Sequence, residues 1–249
     1  SPRVPDLVSA GMDSVAVRMP ANETALALLR SVGAPLAAPS ANLFSRPSPT
    51  TARHVLEDLD GRIDAVLDGG PAGLGVESTV VDVRASTPVI LRPGGVPRET
   101  LEQVLGVRIR LRNEAATSST ETDAARSPGL LTRHYSPRAE VRLYEGDDEA
   151  VVAAIRRLAL AADAPPATAI LSYTEDLPRF RDLPVTLVDL GSCFRLEEVA
   201  RRLYAALRRL DTEGVVRIVV RLAPHGGLGD AINDRLRRAA SGRVERLLG

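Results

Sequence analysis

No lysine occurs anywhere in the chain: all 32 basic residues are arginine. No ammonium group is therefore on hand for a phosphate or a Schiff base, and cationic work falls to guanidinium groups. Tryptophan is absent and aromatics are 3% of residues, so the core must be built from Leu, Val, Ile and Ala, and base-stacking platforms are scarce. The lone Cys193 excludes an intramolecular disulfide and any cysteine-cluster metal site. Net charge is zero, so no global field draws the chain to nucleic acid or to a membrane surface. No apolar run approaches the ~20 residues of a membrane span, and the start carries no signal-peptide pattern, which makes a cytoplasmic location the expectation.

What is present is 249 residues, 44% hydrophobic and 26% charged, as in globular proteins, and long enough for two domains or one large one. One stretch organises the reading: Leu36 to Thr50, with Pro39, Pro47 and Pro49 among small and hydroxyl-bearing residues. It reads as a short apolar strand from Leu36, then a stiffened loop, then a helix over 51–59 with Thr50 as N-cap. A strand feeding such a loop and a helix N-terminus can hold an anion, because backbone N–H groups point outward there. Ser40, Asn42, Ser45 and Ser48 add donors and Arg46 adds charge; an ordinary turn-rich connection has the same composition.

Ala38-Pro39-Ser40-Ala41-Asn42 followed by Arg46-Pro47-Ser48-Pro49-Thr50 resembles the S-x-N nucleotide loop of the YrdC-like family of threonylcarbamoyl-AMP synthases. Four other stretches fit in the family's order: Ser14 to Pro20, Gly75 to Val80, Leu91 to Gly95, and Ser127 to Pro137. Each is weak alone; five in order over about 125 residues are strong. After Pro137 the chain resembles the extra domain of the family's longer form. The implied fold is α/β: residues 1–112 as part of a YrdC-like twisted mixed sheet with helices, 113–138 as a linker covering the active site, and 139–249 as a smaller Rossmann-like parallel domain.

The resemblance implies that L-threonine, bicarbonate or CO2 and ATP give threonylcarbamoyl-AMP and diphosphate, for threonylcarbamoyladenosine formation in tRNA. It assigns the nucleotide to Ser14, Ala38, Ser40, Asn42, Ser48, Arg92 and Tyr135, and threonine to Arg18 and Ser78. Mg²⁺ would accompany the ATP, and the product would pass to the tRNA threonylcarbamoyl transferase, with a weak tRNA contact. The family places a lysine and an arginine for the triphosphate ahead of the region matched by Ser14. The chain starts Ser1-Pro2-Arg3 without Met, so it is expected to be an N-terminally truncated member that does not make threonylcarbamoyl-AMP at a useful rate alone. Two rival classes are an RNA-binding module, disfavoured by neutral charge and few aromatics, and a carbamoyl-transfer domain of hydrogenase-maturation type.

From the residues themselves, Ser14–Met19 reads as a strand with Arg18 near its end, and 23–32 as a helix capped by Asn22 and stopped by Gly33. Strands are expected at 65–67, 79–83, 89–91 and 107–111, and a helix over 97–105. Arg92 before Pro93-Gly94-Gly95 fits either a phosphate contact or a tight turn with an exposed arginine; the glycines permit positive φ and close backbone approach. His54 reads as a surface residue. Beyond the linker, strands at 141–144, 169–172, 185–190 and 215–220 alternate with helices at 149–161, 196–210 and 229–240, which implies a parallel sheet. In the 196–210 helix, Arg201, Arg202, Arg208 and Arg209 lie opposite the apolar stripe and read as a solvated face. The glycine-rich Pro224–Asp230 segment lacks dinucleotide spacing and reads as a structural loop, with His225 lacking an evident partner.

Overall fold

A computed structural model of the protein describes residues 4–9, 11–115, 136–161 and 167–247. Two sheets stand in it. The N-terminal part holds helices α1 (Asp6–Ser9), α2 (Glu23–Val32) and α3 (Ala52–Leu59), strands β1 (Val80–Asp82) and β2 (Val89–Arg92), helix α4 (Arg98–Leu105), strand β3 (Arg110–Leu111) and the short helix α5 (Arg112–Ala115). Its sheet is mixed: β1 runs antiparallel to β2, and β2 parallel to β3. The C-terminal part holds β4 (Glu140–Gly146), α6 (Asp148–Ala159), β5 (Thr168–Ser172), β6 (Thr186–Asp189), α7 (Leu196–Thr212), β7 (Arg217–Arg221), α8 (Leu228–Ala239) and β8 (Val244–Leu247). Its five strands are ordered β6-β5-β7-β4-β8 and every pair is parallel.

The period-2 alternation of the strands sorts the core of the C-terminal part into two layers. Ile218 and Val220 pack with Val199, Leu203, Leu207 and Leu236 of α7 and α8, whereas Val219 packs with Val152 and Ile155 of α6. Leu171 and Leu143 side with the first layer, Ile170 and Tyr144 with the second. The parallel sheet is thus covered on both faces, as parallel sheets require.

The N-terminal part departs from expectation in four places. Residues 14–19, 36–38 and 65–67 are not strands: among the described residues no neighbouring strand pairs with them, and all of 31–40 is exposed. An apolar segment without a ladder partner gains nothing from being extended. The cap of α3 is Thr51, whose side chain accepts from the His54 amide; Thr50 instead turns its hydroxyl and amide toward His54 Nδ1, leaving that ring half-buried rather than on the surface. By contrast α2 has the Asn22 cap and the left-handed Gly33 stop read from sequence. In the C-terminal part β8 was not anticipated, since Val244-Glu245-Arg246-Leu247 is short and half charged.

Candidate functional site

Asn42 shapes the loop that the sequence singled out. Its Nδ2 donates to the carbonyls of Leu43 (2.8 Å) and Arg46 (3.2 Å), and Arg46 N–H closes back on Leu43 O. Ser45 takes φ 68° inside this turn. With both donors committed, Asn42 has only its Oδ1 left, which is buried and without a partner. Its free capacity is that of an acceptor. Ser48 is buried, and its hydroxyl donates to Glu77 Oε1 at 2.6 Å. In this structure the protons of Asn42 Nδ2 and the Ser48 hydroxyl are thus used within the protein.

Arg92 is 4% exposed, which removes the exposed-arginine alternative. Its Nη2 (2.9 Å) and Nε (3.3 Å) donate to the Ser78 carbonyl. The glycine pair beyond it serves close approach rather than positive φ. A Cβ on Gly94 would lie 2.3 Å from Ser78 C and Thr79 N, and Gly95 N–H donates to Glu77 O. The Glu77–Thr79 backbone is pinned between these two contacts, with the Ser78 residue itself exposed.

Ser14 accepts from Arg84 Nη1 at 3.1 Å, and Arg84 also grips Asp82. Arg18, Ala38 and Ser40 are exposed, and among the described residues neither Arg18 nor Ser40 has a hydrogen-bond partner. These two keep their full donor capacity. Tyr135 lies outside the described residues. The structure thus brings Ser48, Ser78 and Arg92 together around Glu77, ties Ser14 to Arg84, and leaves Arg18, Ala38 and Ser40 in open segments. A small cleft adjoins this group, lined by Thr79, Pro93, Gly94 and Arg98 on one side and Gly227 and Asp230 on the other.

Two carboxylates escaped the sequence reading. Glu77 accepts from Ser48, from Tyr204 Oη (3.0 and 3.1 Å) and from Arg235 Nε (2.6 Å). Burial opposes its ionisation, but Arg235 and the Ser48 hydroxyl outweigh that and hold its pKa below the ordinary 4.5. Asp58, whose side chain is 0% exposed, pairs with Arg46 (2.6 Å) and Arg208 (3.0 Å). Burial again opposes its charge, and the two arginines prevail, Arg208 more strongly. Arg208 also donates to the carbonyls of Pro47 and His54. It is not on a solvated face: Arg208 is 8% exposed. Ala200, Arg201, Tyr204 and Arg208 form a second stripe along α7 at spacings of three and four, and this stripe faces the N-terminal part. Gly75 abuts Ala200 and Arg201 Nε donates to Gly73 O. An aromatic with arginines three before and four after, beside a saturated apolar stripe, was the available sign.

In the glycine-rich loop, a Cβ on Gly229 would sit 1.8 Å from Pro224 O, so its glycine is a packing requirement. His225 has a partner after all, Glu145 at 3.3 Å. Among the described residues no three His, Cys, Asp or Glu side chains come together as a metal cage.

The frame is thus an α/β protein whose N-terminal loops carry hydroxyl and guanidinium groups and are braced from behind by a parallel α/β unit. Comparison with known proteins specifies it. Residues 96–241 match the family model described as threonylcarbamoyl-AMP synthase, C-terminal domain, and residues 1–94 match the model described as telomere recombination. The threonylcarbamoyl-AMP synthase of Pyrococcus abyssi is 40% identical over 245 residues, 97% of this chain and 68% of that protein. That of Bacillus subtilis is 41% identical over 246 residues, 99% of this chain and 67% of that one. The crystal structure of P. abyssi Sua5 complexed with L-threonine superposes with a TM-score of 0.85, covering 98% of this chain and 69% of that one. The chain belongs to the threonylcarbamoyl-AMP synthase family.

Proposed function

We propose that the protein is an L-threonylcarbamoyladenylate synthase, using L-threonine, bicarbonate or CO2, and ATP. The observation that carries this reading is 40% identity to a synthase of that name over 97% of the chain. In the reaction the threonine amine takes up CO2 as a carbamate. A carbamate oxygen then attacks the α-phosphorus of ATP, the bond to the β-phosphate oxygen breaks, and diphosphate leaves with the electron pair. No protein nucleophile enters, so the chain contributes positioning and charge stabilisation.

The donor capacities divide the work. Arg18 suits the threonine carboxylate, which a guanidinium binds with two parallel hydrogen bonds. Ser78 stands beside it in role. Ser40 and the backbone at Ala38 suit the nucleotide, and Asn42 serves it by holding the turn of that loop. Ser14 and Tyr135 complete the nucleotide set, with Ser48 and Arg92 holding the loops that carry it. Mg²⁺ would supply charge neutralisation of the phosphates, arriving with ATP. The product would pass to the transferase acting on tRNA, any tRNA contact of this chain being weak, and a cytoplasmic location fits that use. The linker expected at 113–138 falls mostly outside the described residues; a labile mixed anhydride needs water kept from the site, and the resemblance gives that task to this segment. The test is diphosphate release by the full-length protein, which is expected only when ATP, threonine and bicarbonate are all present. Release without threonine, or stabilisation by tRNA but not by ATP, would point to a different activity.

A further inference from the structure

We propose that Tyr204, Arg208 and Arg235, side chains of the C-terminal part, are positioning residues for the substrate site of the N-terminal part. Building on the synthase reading, they set the 45–50 loop and the Glu77–Ser78 turn in register with each other.

The two elements lie far apart in sequence and have one direct bond between side chains, Ser48 Oγ to Glu77 Oε1. That bond is useful only if Glu77 is held charged and unable to rotate. Tyr204 bridges both its oxygens, and Arg235, whose side chain is 0% exposed, grips Oε2. On the other flank Arg208 holds the Pro47 carbonyl directly and reaches the base of α3 through Asp58 and the His54 carbonyl. Pro47 and Ser48 are adjacent, so one loop is held from two helices, α7 and α8. The Ser78 carbonyl is taken by Arg92 from the N-terminal side. Buried ion pairs gain little stability over apolar packing, and their best-attested use is to fix one arrangement among several. Here the arrangement fixed is that of the loops bearing Ser40, Asn42 and Ser78.

The side chains touch no reacting atom in this scheme, so their loss should act on substrate binding geometry. A displacement of about 1 Å at such a site costs on the order of a hundredfold. The experiment uses the intact enzyme with Arg235→Met, Arg208→Met and Tyr204→Phe, and with Arg156→Met as a control. Arg156 pairs with Asp182 on the remote face of the C-terminal sheet. Steady-state diphosphate release gives KM and kcat for ATP and threonine, and thermal unfolding gives the folded fraction.

Tyr204→Phe keeps the ring and its packing, so it tests the idea even where an arginine variant fails to fold. It is expected to raise both KM values about tenfold with the protein fully folded. The methionine variants should raise them more, and Arg235→Lys should recover part of the loss. The Arg156 control should match wild type. Unchanged KM in folded Tyr204→Phe and Arg235→Met, with kcat falling only as the folded fraction falls, would make these side chains merely structural and would overturn the proposal. Should Ser40→Ala and Arg18→Ala also leave both KM values unchanged, the site reading itself would fail; if they raise KM while the three variants do not, only the positioning role fails.

Discussion

Arg235 Nε lies 2.6 Å from Glu77 Oε2, across 158 residues of chain. The contact joins a helix of the parallel α/β part to the turn that carries Ser78. Glu77 was present in the sequence motif Gly75-Val76-Glu77-Ser78, yet nothing there pointed to its partner.

Ser40 has its hydroxyl free in an exposed segment. Ser40→Ala should therefore leave the thermal midpoint unchanged and weaken ATP binding about tenfold, the lower end for a hydrogen bond to a charged group. Asn42→Ala should do both: lose nucleotide affinity and loosen the turn, since the Leu43 and Arg46 carbonyls each lose the Asn42 amide as a donor. Titration calorimetry beside a thermal melt separates these. Equal thermal behaviour of the two variants would contradict the roles given to them.

Arg18 and Arg92 should separate in a similar way. Arg18→Ala removes an exposed guanidinium and is expected to raise the threonine KM far more than the ATP KM, with stability intact. Arg92→Ala removes a 4% exposed side chain and leaves the Ser78 carbonyl without those donors. It should lower the unfolding midpoint as well as affect substrate binding. Parallel losses in both variants with no stability difference would remove this division.

How far the sequence reached differs between the two parts. In the C-terminal part the periods of 2 and 3.6 residues are set by a sheet buried on both faces, so strands and helices could be placed from pattern alone. The N-terminal segments 14–19, 36–38 and 65–67 have strand-like composition, but a strand is a property of a pair, and composition says nothing about whether a partner is adjacent. Arg208 was misread for a related reason: the polar side of an amphipathic helix is solvated only if nothing packs there. Ser48 and Asn42 were rightly placed in one loop, but the use of their protons depends on Glu77 and on local carbonyls that only the fold brings near.

Asp58 and Arg208 allow a stability prediction. Arg208→Met would strand a fully buried carboxylate with Arg46 as its remaining cation. Removing one partner of a buried pair costs about 3–5 kcal/mol, and Arg46 should bring the loss to the lower end of that range. Urea unfolding of wild type, Arg208→Met and the double variant Arg208→Met/Asp58→Asn checks it: the double variant should recover part of the loss. A double variant no more stable than the single one would mean the stranded charge is not the cause.

Acid should release the same contacts. Glu77 and Asp58 both have pKa values held below their ordinary 4.5 and 3.8. The unfolded chain then binds more protons than the folded one between the two values, so stability rises with pH there. Their contribution is present above the ordinary values and is lost as pH falls through the lowered ones. Glu77→Gln should thus flatten the acid limb of the stability curve while leaving its slope near about pH 7 unchanged. An acid limb identical to wild type would show that the Glu77 carboxyl binds its proton equally well in the folded and unfolded chain.

Helix α2 and strand β7 should stand at opposite ends of the local stability scale. No residue of α2 is buried, and its apolar Leu28 and Val32 are 42% and 47% exposed. It is held by its Asn22 cap and Gly33 stop, which are worth about 1 kcal/mol and not a tertiary anchor. In β7, Ile218, Val219 and Val220 are 0% exposed and paired on both sides by β4 and β5. Opening α2 therefore exposes little new surface, whereas opening β7 requires the whole parallel sheet to come apart. Hydrogen exchange followed by mass spectrometry should show α2 and α4 amides exchanging by local opening, at rates insensitive to low denaturant. The β4, β5 and β7 amides should exchange only with global unfolding, and their rates should climb steeply with denaturant. Slow, denaturant-sensitive exchange in α2 would mean that its apolar stripe is covered in solution by a contact additional to those described.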